Sequence, residues 1–367
     1  MATSPKRTTM ADVARAAGTS TAVVSYVLNP GTRPVSDALR ERVLVAVAEL
    51  DYRPDRHARA LRRRRGWRQI GVVVPDATLP LYGALVATLE RQGRARGQLM
   101  ITGSTGFVPA VELELVHGLL EAGVDGLVCA TPADARAVDR LCAGARVPLV
   151  WLHNAEGHPG HALVGSDHVA AGRLATAHLH EHHGRRRVAF VGGFTRADAP
   201  FGDRDAVRDR HRGYAEVLGL GAEQIRTDLT LGGAYTALAR RLAAADPPDG
   251  LVIGTFGQSA AVLRAALDAG LRVPEDLAIV TFDADPRNTY EPITLAAVQQ
   301  QVDRIAQQAV ELLTGAAETA EHDATETGEP GELPAGACGP GPGPQAPPLL
   351  GVIFRPGESC GCGQPPT

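Results

Sequence analysis

The chain has 367 residues, of which 44% are hydrophobic, a size that suits two or three domains with apolar cores and excludes a chain that is disordered throughout. The net charge of -4 is uneven: residues 1–68 hold fourteen Lys and Arg against six Asp and Glu, about +8, which leaves about -12 for the remainder. A basic segment on an acidic body indicates a nucleic-acid-binding module joined to a second function, although a short segment can also be basic by chance.

Two short helices are predicted at the start of the chain. Thr9 is a good N-cap for a helix over residues 10–17, whose apolar side chains recur at helical spacing, and Gly18 ends it. Ser20 is the start of a second short helix that runs to about Leu28. Two short helices joined by a tight turn that contains glycine are typical of the helix-turn-helix motif.

A third helix, capped by Ser36 and running to Leu50, completes a small predicted core, so that the first domain covers residues 9–54. Residues 1–8 are expected to be disordered. The third helix carries its apolar residues along one side, as the first two do.

A family resemblance rests on five runs of residues in fixed order, namely 10–29, 35–36, 48–54, 58–61 and 70–76. Together they resemble the LacI/GalR family of bacterial transcription regulators. The resemblance implies a multi-domain fold. An all-α helix-turn-helix headpiece with a hinge helix is followed by an α/β two-lobed effector domain similar to the periplasmic binding proteins.

The resemblance also implies which residues contact DNA. The second helix carries small or aromatic polar side chains that can approach base edges in the major groove. Thr21, Ala22 and Tyr26 match the base-contacting positions, although Tyr26 stands where the family often has Arg or His and can instead pack on the third helix. The matching phosphate or positioning contacts are Thr9, Ser20, Ser25 and Asn29.

Residues 55–68 are similar to the hinge helix and linker of the family. Leu61 matches the residue that wedges into the minor groove at the centre of the operator, and His57 and Ala60 are further implied contacts. So short a polar helix is expected to be largely unfolded without DNA. The four arginines at 62–65 can neutralise phosphates, or can simply form a solvated linker.

From residue 69 to 360, short apolar runs alternate with helical stretches, which predicts parallel sheets covered by helices on both faces. The predicted strands are 70–74, 99–102, 126–129, 148–152, 188–191, 251–254 and 278–282. The predicted helices are 81–96, 110–121, 133–143, 168–181, 209–218, 234–245, 259–269 and 302–313. We expect the first lobe at about 69–166 and 285–313, and the second at about 167–284 and 349–360.

Residues 314–348 are rich in Glu, Gly, Pro and Ala and contain almost no large apolar side chains. This composition predicts a disordered loop insertion. Residues 349–354 are apolar again and resemble the final strand of the family, so the tract is interpreted as a long loop within the domain. Loop closure costs little more as length grows, which makes such an insertion tolerable.

The resemblance places a ligand cleft between the lobes at the carboxyl ends of the strands, where sheet topology also favours it. Arg210 is favoured because a guanidinium can bind a carboxylate or paired hydroxyls in a bidentate way, and Asp167 and Asp283 can accept from sugar hydroxyls. Surface or interlobe salt bridges are the alternative for these charged residues. The predicted effector set is Asp76, Tyr82, His153, Asn154, Asp167, Arg210, Phe256 and Asp283.

Two cleft positions depart from the family pattern. Residues 254–257 read Gly-Thr-Phe-Gly where Asn-Asp is usual, and His153 and Asn154 stand where Asp-Arg is expected. The loss of hydroxyl-binding groups puts a neutral monosaccharide in doubt and leaves room for another metabolite or for none. Phe256 can stack on a ring or fill the core.

No metal site and no cofactor are predicted. The histidines at 178, 180, 182 and 183 have no carboxylate or cysteine partner in the sequence pattern, and the Cys-Gly-Cys sequence at 360–362 has neither a second pair nor a nearby histidine. The five cysteines are an odd, scattered set, which argues against a disulfide framework.

The sequence therefore predicts a homodimeric repressor that binds a palindromic operator in double-stranded DNA and responds to a small-molecule effector, a sugar or a related metabolite. The alternative is the same DNA-binding role under the control of a partner protein, or without any ligand. An enzyme is disfavoured because no paired nucleophile and base and no phosphate loop are visible. With no apolar leader and no long apolar run, we expect a cytoplasmic, nucleoid-associated protein without membrane contact.

Overall fold

The computed structural model describes residues 10–28, 35–50, 68–130, 134–152, 162–194, 204–228, 230–284, 292–327 and 349–363. The chain divides into two compact units, Met1–Gly66 and Trp67–Thr367. Outside the described residues lie the predicted disordered segment 1–8, most of the predicted hinge, and the candidate site residues Thr9, Asn29, His57, Ala60, Leu61, His153 and Asn154.

The first unit contains the three predicted helices: α1 (Met10–Ala16), α2 (Thr21–Leu28) and α3 (Asp37–Glu49). Each contributes small or β-branched apolar side chains to one core, because these recur on the inward side of each helix. The fully buried members are Val13, Ala14, Ala17, Val24, Val27, Val43 and Ala46.

The second unit begins with a five-stranded parallel sheet in the order β2-β1-β3-β4-β5. Its strands are β1 (Arg68–Val74), β2 (Gln98–Ser104), β3 (Gly126–Ala130), β4 (Leu149–Leu152) and β5 (Ala162–Val164). The connecting helices are α4 (Pro80–Ala95), α5 (Pro109–Glu121) and α6 (Ala135–Ala145). The first two begin with proline, whose fixed φ suits the first helical position. This sheet and its helices form the first lobe.

The second lobe is built on a six-stranded sheet in the order β11-β10-β9-β8-β6-β7. Its strands are β6 (Val188–Phe194), β7 (Gln224–Thr227), β8 (Gly250–Ile253), β9 (Ala278–Phe282), β10 (Ala296–Gln299) and β11 (Ile353–Arg355). Its helices are α7 (His168–Ala177), α8 (Arg204–Leu218), α9 (Leu231–Leu242) and α10 (Ser259–Asp268). Only β11 is antiparallel to its neighbour among these described strands.

The structure differs from the predicted lobe boundaries at β10. Residues 285–313 were assigned to the first lobe, yet Ala296 of β10 pairs with Val280 of β9 in the second sheet. The chain returns to the first lobe only with α11 (Val302–Thr327), whose Leu313 lies in the first lobe's core.

The structure also differs from the prediction that residues 314–348 form a disordered insertion. α11 continues to Thr327, so residues 314–327 are helical, because this stretch is rich in the helix formers alanine and glutamate. After the segment outside the described residues, Leu350 pairs with Ser166 and lies in the same first-lobe core as Leu313. The chain then crosses to β11 in the second lobe.

Within the described ranges, every helix is too short or too polar to cross a lipid bilayer.

Candidate functional site

The exposed side of α2 is fixed by the side that it buries. Val24 and Val27 are buried in the headpiece core, which leaves Thr21 and Ala22 exposed at the start of the helix. Ser20 Oγ accepts a hydrogen bond from Val23 N at 3.3 Å, so Ser20 caps the helix. The start of α2 therefore presents two small side chains and a defined helix end to the outside.

The turn that precedes α2 is held by α3. Arg42 Nη2 donates to the carbonyl oxygens of Ala17, at 2.5 Å, and Gly18, at 3.3 Å. Gly18 has a φ of +58°, and a Cβ atom there would lie 2.9 Å from Arg42 Nη2. Glycine adopts this left-handed conformation without the strain that most other residues meet there.

The structure thus brings five of the predicted DNA-binding residues to one helix and its cap, Ser20 being the cap. Thr21 and Ala22 are exposed, while Ser25 and Tyr26 are half-buried. A short helix that is anchored on one side and exposes small side chains at its start can enter a major groove.

Two predicted effector residues, Arg210 and Asp283, are joined in a buried ion pair. Arg210 Nη2 donates to Asp283 Oδ2 at 2.8 Å, and both side chains are less than a tenth exposed. Nη1 of the same guanidinium donates to the Gly254 carbonyl oxygen at 2.9 Å, and Cζ lies 4.4 Å from the centre of the Phe282 ring. The pair lies at the carboxyl ends of β8 and β9, where the cleft was predicted.

Arg210 is held in place by a close crossing of α7 and α8. A Cβ atom on Gly172 would lie 1.9 Å from the Arg210 carbonyl oxygen, and one on Gly213 would lie 2.0 Å from the Val169 carbonyl oxygen. Glycine at both positions lets the two helix backbones touch. The backbone that carries Arg210 is therefore fixed against α7.

Gln300 completes this network and was not found from the sequence. Its backbone N donates to Asp283 Oδ1 and its Nε2 to Asp283 Oδ2, both at 2.9 Å. Asp283 has a φ of +53°, and its N–H donates to the Val298 carbonyl oxygen at 3.0 Å. The available signal was the run of three glutamines, 299–301, which begins at the last residue of the missed strand β10.

Two other predicted carboxylates make local turns. Asp76 Oδ1 accepts from the backbone N of Thr78 at 2.8 Å and from its hydroxyl at 2.7 Å. Asp167 caps α7 by accepting from Ala170 N at 2.8 Å. In each of these contacts, only one carboxylate oxygen of the residue takes part.

The two predicted aromatic residues pack on cores. Tyr82 is 1% exposed within the core of the first lobe, and Phe256 is half-buried against that of the second. For Phe256 this packing favours the core-filling alternative. The structure does not support an effector contact for Tyr82, because its side chain is enclosed by its own lobe.

A cavity of about 480 Å³ adjoins the ion pair. Its lining comes from α4 and from the segments that cross between the lobes, and it includes Asp283 and Gln300. Arg304 and Arg355 add positive charge to this lining, in which Arg91 pairs with Asp303 at 2.7 Å. The cavity thus connects the Arg210–Asp283 network to the first lobe.

The sequence-based premise that the histidines at 178–183 have no cysteine partner, and that the Cys-Gly-Cys sequence has no nearby histidine, is wrong. His178 and His183 lie within 3.4 Å of cysteine sulfur atoms of the 360–362 segment, although the sequence separates them by nearly half the chain. Burial and the two neighbouring histidines lower the pKa of His178 to about 4, and burial together with Cys360 raises that of Cys362 to about 11.

Comparison with known proteins identifies the class. Residues 9–55 match the family model for bacterial regulatory proteins of the lacI family, and residues 176–336 match that for a periplasmic binding protein-like domain. A helix-turn-helix headpiece followed by a two-lobed α/β body is the architecture of a ligand-responsive DNA-binding regulator.

The ribose operon repressor of Bacillus subtilis (strain 168) is 31% identical over 313 residues, which cover 84% of this chain and 91% of that protein. The ribose operon repressor of Escherichia coli (strain K12) is 28% identical over 313 residues, 83% and 92% of the two chains. In a crystal structure, the lac repressor dimer bound to operator and the anti-inducer ONPF superposes with a TM-score of 0.74 at 23% identity, over 97% of this chain and 99% of that one.

The chain belongs to the lacI family of bacterial regulatory proteins. The predicted family and fold class are confirmed. The family assignment confirms the predicted role as a DNA-binding transcriptional repressor and not an enzyme.

Proposed function

We propose that the protein represses transcription as a homodimer that reads a near-palindromic operator with α2. The observation that carries this proposal is the orientation of that helix: Thr21 and Ala22 are exposed at its capped start, while Val24 and Val27 are buried behind them. Two-fold symmetric dimers bind two half-sites, each of which takes one recognition helix.

The test is selection of bound sequences from a random duplex pool with the full-length protein, followed by titration of the selected site and a scrambled site at fixed salt. Thr21→Ala should weaken binding to the selected site by about 5- to 150-fold, which corresponds to the roughly 1–3 kcal/mol of a base contact, and leave the scrambled site nearly unchanged. Val45→Ala, an exposed position on α3, is the matched control. Equal losses on both duplexes would overturn the assignment of α2.

For the segment 55–68, which lies outside the described residues except at its end, we propose the hinge role that the family resemblance implies. Leu61 would wedge into the minor groove at the operator centre, beside His57 and Ala60, and bend the duplex. Leu61→Ala should weaken the selected site much more than the scrambled site. An unchanged bend angle and a uniform loss of affinity would contradict the wedge.

We further propose that a small hydroxylated metabolite binds at the Arg210–Asp283 pair. Nε of Arg210 is buried and has no hydrogen-bond partner among the described residues. This N–H group can therefore still donate to a ligand, next to the Asp283 carboxylate, which can accept from one. Neutral hydroxyl groups can donate to one member and accept from the other. Two of the most similar relatives are named as ribose operon repressors, which makes ribose the first compound to test.

Calorimetry with ribose, then with other sugars and with purines, tests the effector. A ligand of this site should bind wild type and lose at least tenfold in affinity in Arg210→Lys, because an ammonium cannot reproduce the fork of the guanidinium. By thermodynamic linkage, if the compound changes the affinity of the protein for operator DNA, then operator DNA must change the affinity of the protein for the compound by the same factor.

A second candidate is a repressor that no metabolite controls, or that a partner protein controls. The observation that favours it is that both oxygens of Asp283 already accept hydrogen bonds from Arg210 and Gln300. Operator affinity that no compound in the panel changes would support this candidate and overturn the metabolite proposal.

A further inference from the structure

Five metal-binding side chains gather where α7 meets the C-terminal segment, although the three histidines and the two cysteines are separated by more than 170 residues of sequence. His178, His182 and His183 lie in or beside the π-helical turn His178–His182 that continues α7. Cys360 and Cys362 lie in and just after the short 3-10 helix Glu358–Cys360. The donor atoms of the three histidines and Cys362 all lie within 4.8 Å of one another.

Four of these donors are linked by short distances. His178 Nε2 lies 3.1 Å from His183 Nε2, 3.4 Å from Cys360 Sγ and 3.4 Å from Cys362 Sγ. His183 Nε2 lies 3.3 Å from Cys362 Sγ. In a tetrahedral site with Zn–N of about 2.0–2.1 Å and Zn–S of about 2.3 Å, the ligand atoms are roughly 3.3–3.8 Å apart. Four of the six ligand-to-ligand distances are therefore within a few tenths of an ångström of this geometry.

The local backbone explains why these donors converge. Residues five apart on an α-helix point about 140° apart, at 100° per residue. His183 N instead donates to the His178 carbonyl oxygen at 3.1 Å, a π-type bond that brings the two side chains to one side. On the other segment, Gly361 has a φ of +98° and lies against the His183 ring, which lets both neighbouring cysteines reach the same point.

We propose that His178, His183, Cys360 and Cys362 form a structural Zn²⁺ site. Two nitrogen and two sulfur ligands in a tetrahedron are the set that zinc prefers, and four protein ligands leave no open position for catalysis. Two thiolates neutralise the ion, so the partly buried site carries no net charge. His182 is exposed and stacks on His178 at the rim with ring centres 5.1 Å apart.

The site lies away from the effector cleft. His183 precedes β6, so the cluster is at the amino ends of the strands of the second sheet, whereas Arg210 and Asp283 lie at the carboxyl ends. Bound zinc would link α7 to the last described segment of the chain. Such a link closes a loop of about 180 residues, and a cross-link over a long loop destabilises the unfolded chain most. The inference does not depend on which effector or operator is bound.

The experiment measures zinc in full-length protein that is purified without a polyhistidine tag. We expect one zinc ion per chain after dialysis, and a Tm that falls by about 5 °C or more when a chelator removes the metal and recovers when Zn²⁺ is added. Replacement by Co²⁺ should give the visible bands of tetrahedral coordination and the near-ultraviolet thiolate-to-cobalt band.

Cys362→Ser and His183→Gln, both at partly exposed positions, should lose the zinc and the metal-dependent rise in Tm while remaining folded by circular dichroism. His180→Gln is the matched control and should retain zinc. It lies on the same turn, but His180 Nδ1 contacts the Arg185 carbonyl oxygen at 2.8 Å. His182→Gln should also retain zinc, and its loss there would overturn the ligand set. Wild-type protein without zinc, or variants that bind it equally well, would overturn the site itself.

Discussion

Gly172 lies so close to Arg210 that a Cβ atom on the glycine would be 1.9 Å from the Arg210 carbonyl oxygen. Gly172→Ala must therefore separate α7 from α8 and move the backbone that carries the guanidinium. We expect a loss of several kcal/mol in the free energy of unfolding, measured by urea denaturation, because overpacking against backbone cannot be relieved by a side-chain rotation.

Gly118→Ala is the control for that substitution. Gly118 lies inside α5 with nothing within 4 Å of its added Cβ atom, so alanine there should raise stability by roughly 0.5–1 kcal/mol. If the two alanines had the same effect, the close crossing would not constrain the lobe.

Arg210 and Asp283 should show strong energetic coupling. Arg210→Met leaves a buried carboxylate without its ion-pair partner, which costs about 3–5 kcal/mol, whereas the double change with Asp283→Asn should cost less than the sum of the single changes. The exposed pair Arg264 and Asp268, tested with the same substitutions, should show much weaker coupling because solvent screens the two charges. Additive effects at the buried pair would contradict the network.

Arg42 should control the order of the headpiece turn. Arg42→Met removes the donor to Ala17 and Gly18, so hydrogen–deuterium exchange over residues 10–28 of the full chain should accelerate, and operator affinity should fall. Arg40→Met on the same helix removes equal charge and should leave exchange in that segment unchanged. If hydrogen–deuterium exchange accelerated equally in both variants, the cause would be the loss of a positive charge and not the loss of the hydrogen bonds to Ala17 and Gly18.

His211 should make stability depend on pH. Burial, and secondarily the charge of Arg226, lowers its pKa below the ordinary value of about 6.5. The unfolded state therefore binds the proton more readily, and stability present above about pH 6.5 is lost as the pH falls below it. Between pH 7 and 5 the free energy of unfolding should decline less steeply in His211→Gln.

The sequence predicts the longer elements well, for a physical reason. β1 and β9 each contain a run of mostly apolar residues that are buried, so burial on both faces is visible in the pattern. β5 has three residues and β7 contains Gln and Arg, so neither is long or apolar enough to show a period. β10 was missed because its sequence, Ala-Ala-Val-Gln, contains only one residue that favours strands. The predicted lobe boundary was therefore misplaced as well.

The candidate sites show a different limit. Arg210 and Asp283 were identified individually through the family resemblance, but their pairing depends on a crossing of helices and a positive φ that no local pattern reveals. The sequence analysis rejected the histidines as metal ligands because no cysteine lay near them in sequence. It rejected the Cys-Gly-Cys sequence because no histidine lay near it. Their proximity arises from the return of the C-terminal segment to the second lobe.

Leu313 and Leu350 belong to the same core of the first lobe, so the chain between them leaves and re-enters one rigid body. Its length can change with little thermodynamic cost, and without any change in the distance between the lobes. A fluorescent protein inserted within residues 328–348 should therefore leave ligand response and DNA affinity equal to those of the parent protein. The segment thus offers an internal position for a fluorescent label in live-cell imaging.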